Sequence, residues 1–341
     1  MEKGQVLFLN EEEIKSILTN EKTLEIVEDV LKAYGRGEAL NPVKLSMPMV
    51  EQSGRINSMP SYNTVTGATG VKVVSVFLNN AKQHGLLTTL GTIILHDPET
   101  GMPLSIMGGT YITSMRTGAA AALKAKYLAR KDSKIVTVVG AGVQGFTGMD
   151  MMLTILEGDI AIEEVRVSDP FPAQRAKLIS KLQAKYPNIR YVEYEDNPTA
   201  AKGADILLMA SAAPFPLLEN CEIDEGTLCI CISERLTPKA IGKFDRFYAD
   251  FKTCVLERAN DYGRINAMKN GTPYVELTPD MITGEIGDVM VGKTPGRLTD
   301  SDRLLTRDAG MSIEDIGVAY YVYQEALARG IGQVLDFQNL K

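Results

Sequence analysis

Histidine is nearly absent from this sequence: only His84 and His96 occur in 341 residues. His84 falls in a polar loop and His96 beside the Asp97-Pro-Glu-Thr-Gly101 turn, with no nucleophile motif near either. A Ser-His-Asp hydrolase is therefore disfavoured. Cysteine is also scarce. Cys221, Cys229, Cys231 and Cys254 form no Cys-x-x-Cys pair, and no His-x-x-His spacing suggests a metal. Cys229 and Cys231 share one face of an apolar strand, which suits small core residues in a reducing cytoplasm. Basic residues are not in excess. Lys and Arg number 36 against 43 Asp and Glu, a net charge of -7 without a basic run, which argues against a nucleic-acid partner. Long apolar runs are missing too. Val6-Leu-Phe-Leu is short, and no stretch is long enough to span a membrane. The expected setting is cytoplasmic, off the membrane.

What is present centres on Lys134-Ile-Val-Thr-Val-Val-Gly-Ala-Gly-Val-Gln-Gly145. Ile135 to Val139 has the β-branched composition of a strand buried on both faces. Gly140-x-Gly142-x-x-Gly145 follows directly, and Phe146 to Leu156 reads as a helix. Strand, glycine turn and helix start form the first unit of a dinucleotide-binding fold. Gly140 allows the tight turn, Gly142 admits a pyrophosphate to the backbone, and Gly145 lets helix and strand pack closely. The helix N-terminus offers the phosphates unpaired N–H groups and a positive dipole end. Asp169 ends the next strand, Glu164-Val-Arg-Val-Ser-Asp169, about where a ribose-binding carboxylate belongs. That favours NAD, although Arg175 leaves NADP open if Asp169 turns away. The competing reading has Asp169 merely capping the helix near Pro172.

Before the glycine loop, Asn10 is a plausible N-cap with Glu11, Glu12 and Glu13 behind it. A second helix spans about 21–34 and ends at Gly35. Strands follow near 55–60 and 70–77, then a hairpin of 89–95 and 102–107. A helix is predicted from about Ser114 to Arg130. Beyond it, strands are predicted at 135–139, 164–168, 189–194, 205–210, 227–232 and 246–250 with helices between, implying a parallel doubly wound sheet. After Asp250 the strand pattern fades. A helix is expected over 255–268, another at Thr278-Pro-Asp, and a last one opened by the capping-box-like Ser312-Ile-Glu-Asp315 and closed by Gly330. This tail is expected to pack back on the N-terminal sheet. The fold class is α/β, with a Rossmann doubly wound domain (126–304) inserted into an α+β substrate and dimerisation domain (1–125 plus 305–341).

Some residues invite chemistry. Lys72 is the lone charge in Val71-Lys-Val-Val-Ser-Val-Phe77. If it faces inward with Val74 and Val76, its pKa is lowered and it can act as an acid or base, or bind a carboxylate. If it faces outward, it is an ordinary surface lysine. Arg116, placed in the first turn of its helix, opposes the dipole unless arginine and helix end jointly hold an anion. A structural ion pair is the other reading. Lys44 and Arg55 lie in extended, proline-flanked segments. Glu234 follows the strand ending at Ile232, at the carboxyl end of the sheet where ligands bind.

Thr110-Tyr-Ile-Thr-Ser-Met-Arg-Thr-Gly-Ala-Ala120, Ala125-Lys-Tyr-Leu-Ala-Arg130 and Gly140-Ala-Gly-Val-Gln144 resemble the ornithine cyclodeaminase/mu-crystallin family. So do Ser58-Met-Pro60, Gly70-Val-Lys-Val-Val74, Gly85-Leu-Leu-Thr-Thr89 and Gly310-Met-Ser-Ile-Glu-Asp-Ile316. The resemblance covers nearly the whole chain. It implies tightly held NAD(P), a small amino-acid or imine substrate and usually a homodimer. Lys72 matches the family's active-site lysine and Arg116 its carboxylate-binding arginine. Lys44 falls near another substrate-carboxylate contact. Thr88 and Thr117 match residues near the cofactor, alongside Gly140, Gly142, Val143, Gln144, Gly145 and Asp169. Two departures stand out. Cyclodeaminases carry a glutamate where this chain has Asn57, beside the substrate, and an aspartate for proton transfer follows the strand that here leads to Glu234. The leading expectation is an NAD-dependent oxidoreductase acting on an L-amino acid or its cyclic imine. The alternatives are an ornithine or lysine cyclodeaminase and a crystallin-like binding protein.

Overall fold

A computed structural model of the chain describes residues 2–213, 215–233, 235–270 and 276–338. It divides into two compact units, Met1–Arg116 with Met311–Lys341, and Thr117–Gly310. The division falls inside a helix, Thr110–Leu128, rather than at its end.

The first unit begins with β1 (Gln5–Leu9), α1 (Glu11–Ile17), α2 (Asn20–Arg36), β2 (Ala39–Leu40), β3 (Leu45–Met49) and β4 (Gly54–Asn63). It continues through β5 (Thr69–Phe77), α3 (Asn80–Gln83), β6 (Thr89–His96) and β7 (Pro103–Gly108) to α4 (Thr110–Leu128). The chain tail completes it with α11 (Ser312–Arg329) and β16 (Gln333–Asp336). The strands run in the order β16-β1-β7-β6-β5-β4-β2, with β3 on β4, and every pair is antiparallel except β1 with β7. Alternation gives the sheet two faces. Met59, Lys72, Val74, Ile93, Leu95 and Met107 are buried on one, where α11 packs across β4, β5 and β6 and against α2. The tail therefore does return to the N-terminal sheet.

Local signals placed most termini. Asn10 caps α1 with a capping box to Glu13, as the sequence suggests. The cap of α2 differs. Gly35 is a buried residue within the helix, and Gly37 ends it at φ 81°. α4 starts four residues earlier than predicted, at Thr110, because Glu11 caps it from outside: Oε1 accepts from Thr110 N and Oε2 from Tyr111 N, both at 2.9 Å.

In the second unit, β8 (Ile135–Val139), α5 (Val143–Leu156), β9 (Glu164–Ser168), α6 (Pro172–Lys185), β10 (Arg190–Tyr194), α7 (Asn197–Ala201) and β11 (Ile206–Met209) alternate as the sequence predicts. β12 (Leu228–Cys231), α8 (Pro238–Ile241), β13 (Arg246–Ala249) and α9 (Lys252–Asn270) continue the pattern. The sheet order is β10-β9-β8-β11-β12-β15-β13-β14, parallel throughout. β8 has β9 on one side and β11 on the other, the reversal that defines a doubly wound sheet. The sequence missed the end of this sheet. β14 (Gly284–Glu285), α10 (Ile286–Met290) and β15 (Leu304–Arg307) lie where the strand pattern faded, and β15 inserts between β12 and β13. Thr278-Pro-Asp opens only a single 3-10 turn at Pro279–Met281.

The four cysteines are free and buried; all belong to the core of this unit. Among the described residues no group of side chains could hold a metal ion, and no helix is long and apolar enough to cross a membrane.

Candidate active site

Lys72 points inward. It sits on β5 opposite Met59 of β4 and Ile93 of β6, and is 1% exposed. A buried ammonium needs a counter-charge, and α11 supplies one: Lys72 Nζ lies 2.5 Å from Asp315 Oδ2. Thr113 Oγ1 is 3.4 Å from the same nitrogen and donates to the Gly109 carbonyl. Arg116 joins the cluster from α4. Its Nε donates to Asp315 Oδ1 at 2.9 Å and its Nη1 to Glu314 Oε2 at 2.7 Å. Its Nη2 has no hydrogen-bond partner among the described residues, so part of the guanidinium fork stays open to an anion.

Two expectations change here. Arg116 lies in the second turn of α4, not the first, so it does not sit at the dipole end. Ser312-Ile-Glu-Asp315 is not a capping box either. Met311 is the N-cap, Ser312 Oγ donates to the Met59 carbonyl, and Glu314 and Asp315 face the two cations. Sequence reasoning missed these two carboxylates. The signal was their place in the quoted tail motif, where an acidic first turn has a sufficient local explanation.

Burial acts differently on the two cations. Loss of solvent, joined by repulsion from Arg116, lowers the Lys72 pKa to about 8, against the attraction of Asp315 and Glu314. Burial also works against the Arg116 charge, but Asp315 and Glu314 outweigh it and raise its pKa above the ordinary value. Lys72 is thus the member that can exchange a proton near neutral pH.

Asn57 is buried on the same face of the sheet, opposite Val74. Lys44 is half-buried just before β3, and Arg55 is half-buried on β4 opposite Val76. Thr88 is half-buried, and its carbonyl accepts from Phe77 N at 2.9 Å. Glu234 lies outside the described residues.

In the second unit the glycine loop behaves as the motif requires. Gly140 has φ 101°, and a Cβ there would lie 2.7 Å from Ser211 N. A Cβ on Gly145 would lie 1.9 Å from the Gly140 carbonyl oxygen. Gly142 differs, because a Cβ would meet nothing within 4 Å. It is the N-cap of α5 and makes no side-chain cap bond, which leaves the helix start open above Val143 and Gln144. Gln144 Oε1 is buried without a partner. Asp169 follows β9, its Oδ2 accepting from Ala141 N at 2.9 Å and its Oδ1 from Phe171 N at 2.9 Å. It does not cap α6, whose N-cap is Phe171. Arg175 is buried and engaged, with Nε on Glu193 at 3.0 Å and Nη1 on the Asp169 carbonyl at 2.6 Å. This removes the support for a 2′-phosphate at Arg175. An open helix start, a glycine floor and a carboxylate after the second strand fit a dinucleotide with a free ribose 2′-hydroxyl. Thr117 is buried on α4 in this unit.

A profile of the ornithine cyclodeaminase/mu-crystallin family matches residues 5–330. The chain belongs to that family. Alanine dehydrogenase of Archaeoglobus fulgidus is 29% identical over 341 residues, covering 98% of this chain and 99% of that protein. Among solved structures, Δ1-pyrroline-2-carboxylate reductase of Thermococcus litoralis in complex with NADH and L-proline superposes with a TM-score of 0.85 at 32% identity, covering 96% of this chain and 99% of that one. An archaeal alanine dehydrogenase dimer with bound NAD gives 0.84 at 27%, covering 98% and 100%.

Proposed function

We propose that the chain is an NAD-dependent oxidoreductase acting on an L-amino acid or its cyclic imine. The observation that carries this reading is the pairing of Lys72 and Arg116 beneath α11, with part of the Arg116 fork left open. An open fork beside a second cation suits a carboxylate and little else of similar size. The alanine dehydrogenases and the pyrroline-carboxylate reductase among its relatives support the same substrate class.

In this reading the Thr117–Gly310 unit binds NAD and the other unit binds substrate. Gly140, Gly142, Val143, Gln144 and Gly145 would hold the pyrophosphate, Asp169 the ribose, and Thr88 and Thr117 would lie near the cofactor. When bound, NAD supplies the acceptor or donor of hydride. Arg116, helped by Lys44, orients the substrate through its carboxylate. Lys72 contacts the carboxylate or the polar group on the reacting carbon, holding a proton at Nζ. Glu234 is assigned the remaining proton transfer from its place after β12. Asn57 offers no negative charge to a substrate side-chain amine, which counts against cyclodeamination of ornithine or lysine.

We place the protein in the cytoplasm as a homodimer. The face of the first sheet opposite α11 supports the dimer: Leu45, Met47 and Val73 are 74%, 54% and 40% exposed on it. Apolar exposure on β3 and β5, the strands on either side of β4, favours covering by another chain.

A panel of L-amino acids with excess NAD, followed for NADH and ammonia together, tests the activity. NADH rising in step with ammonia supports oxidation. Ammonia without NADH would overturn it in favour of a cyclodeaminase. The reverse direction, cyclic imines with NADH, completes the panel; silence in both directions leaves the binding protein.

A further inference from the structure

Asp315 is buried between two cations of the first unit. It is 0% exposed, and its two oxygens are divided between two cations: Oδ1 takes Arg116 Nε at 2.9 Å and Oδ2 takes Lys72 Nζ at 2.5 Å. One carboxylate thus sets how far apart the cations stand. Glu314 accepts from Arg116 Nη1 at 2.7 Å. Both acids lie in the first turn of α11, where the helix dipole favours their ionised forms. Ser312 Oγ, on the Met59 carbonyl, anchors that turn to the strand opposite Lys72.

We propose that Asp315 is a positioning residue, which holds Lys72 and Arg116 in register as a two-point clamp for the substrate carboxylate. This rests on the reading of Lys72 and Arg116 as the carboxylate site. In this assignment Asp315 acts through the two cations that its oxygens hold. The groups facing Lys72 are Asp315 and Glu314 from α11, Arg116 and Thr113 from α4, and the uncharged Met59 and Ile93 from the adjacent strands, with Asn57 on the same sheet face opposite Val74. Arg55 lies farther along β4, opposite Val76. Of these, Asp315 is the one anion in contact with the Lys72 ammonium, so it both aims Lys72 and favours its charged form.

The test titrates Lys72 directly by NMR of enzyme carrying 13Cε-labelled lysine, the signal assigned with Lys72→Met, in wild type and Asp315→Asn. Melting temperature and NAD affinity are measured alongside. The amide keeps the side chain's shape without its charge, so the Lys72 titration should move down by roughly 1–3 units. KM for the amino acid should rise about 10- to 100-fold while NAD affinity stays. An unmoved titration, or an unmoved KM, overturns the proposal. If the amide variant does not fold, Asp315→Glu keeps the charge on a longer arm. Its Lys72 should titrate within about one unit of wild type while KM still rises, and an unchanged KM overturns the proposal. The titration needs no turnover. A wild type inactive on every substrate would sink the functional reading, while an unmoved Lys72 signal would sink this one.

Discussion

Glu11 caps the helix that carries Arg116, its Oε1 accepting the Thr110 N–H at 2.9 Å. The Tyr111 N–H bonds the other oxygen of the same carboxylate. The two residues Glu11 and Thr110 are 99 positions apart. A Cβ on Gly108 would lie 2.6 Å from Glu11 Oε1, so glycine is needed there for the carboxylate to reach. Glu11→Ala should lose about 0.5–2 kcal/mol of stability, the usual cost of a lost cap. The urea midpoint measures this, and a midpoint equal to wild type would show that the cap contributes nothing.

Removing Arg116 outright would leave Glu314 and Asp315 buried with less counter-charge, at a cost of about 3–5 kcal/mol for a broken buried pair. Arg116→Lys is the better probe because it keeps the charge and loses the fork. KM for the amino acid should rise by about tenfold or more, with NAD affinity unchanged, measured by steady-state kinetics and cofactor titration. Equal losses of both would assign Arg116 a structural role instead.

Lys72 titrates at about 8 in the fold against an ordinary 10.5. Below about 8 both folded and unfolded chains carry the proton. Between about 8 and 10.5 the folded chain has lost it and the unfolded chain has not, so this group makes stability rise with pH across that window. Carboxylate binding should run the other way, with KM climbing above pH about 8 as the clamp loses one charge. Lys72→Met should flatten both trends; a wild-type KM constant from pH 7 to 9.5 would rule out Lys72 as a charged partner.

Gly142 and Gly145 separate cofactor binding from folding. Gly145→Ala forces a Cβ to 1.9 Å from the Gly140 oxygen and should destabilise the second unit. Gly142→Ala meets open space at an ordinary φ of -77° and should melt like wild type. It should nonetheless weaken NAD binding about tenfold or more, because the methyl takes the place where the pyrophosphate approaches. Fluorescence titration with NADH reads this, and undiminished affinity would move the phosphates elsewhere.

A charge placed on the open face of the first sheet should break the proposed dimer. Val73→Glu puts a carboxylate at a position that is 40% exposed in the single chain. Sedimentation velocity should show a dimer for wild type and a monomer for the variant. Two monomers, or two dimers, would mean that the face is not the interface.

The doubly wound sheet was legible because its signals are local. Ile135 to Val139, the three glycines and Asp169 lie close together in sequence, and strand and helix periods are read over a few residues. The same locality made Lys72 recognisable as a lone charge on an apolar strand, whereas Arg116 drew notice from a first-turn position that the helix start at Thr110 removes. Local pattern could not place β15, whose residues Leu304–Arg307 become a central strand only between β12 and β13. It also misassigned Ser312-Ile-Glu-Asp315, since an acidic first turn is already favourable to an isolated helix. The Lys72–Asp315 pair joins residues 243 positions apart, and the Lys124–Asp308 pair, 2.5 Å apart and buried in the second unit, is likewise remote in sequence. Sequence alone determined the alternating elements up to β13, the dinucleotide motif and the family. Tertiary structure decided which carboxylate meets which cation, because buried charges select partners by packing and desolvation, and neither has a sequence period.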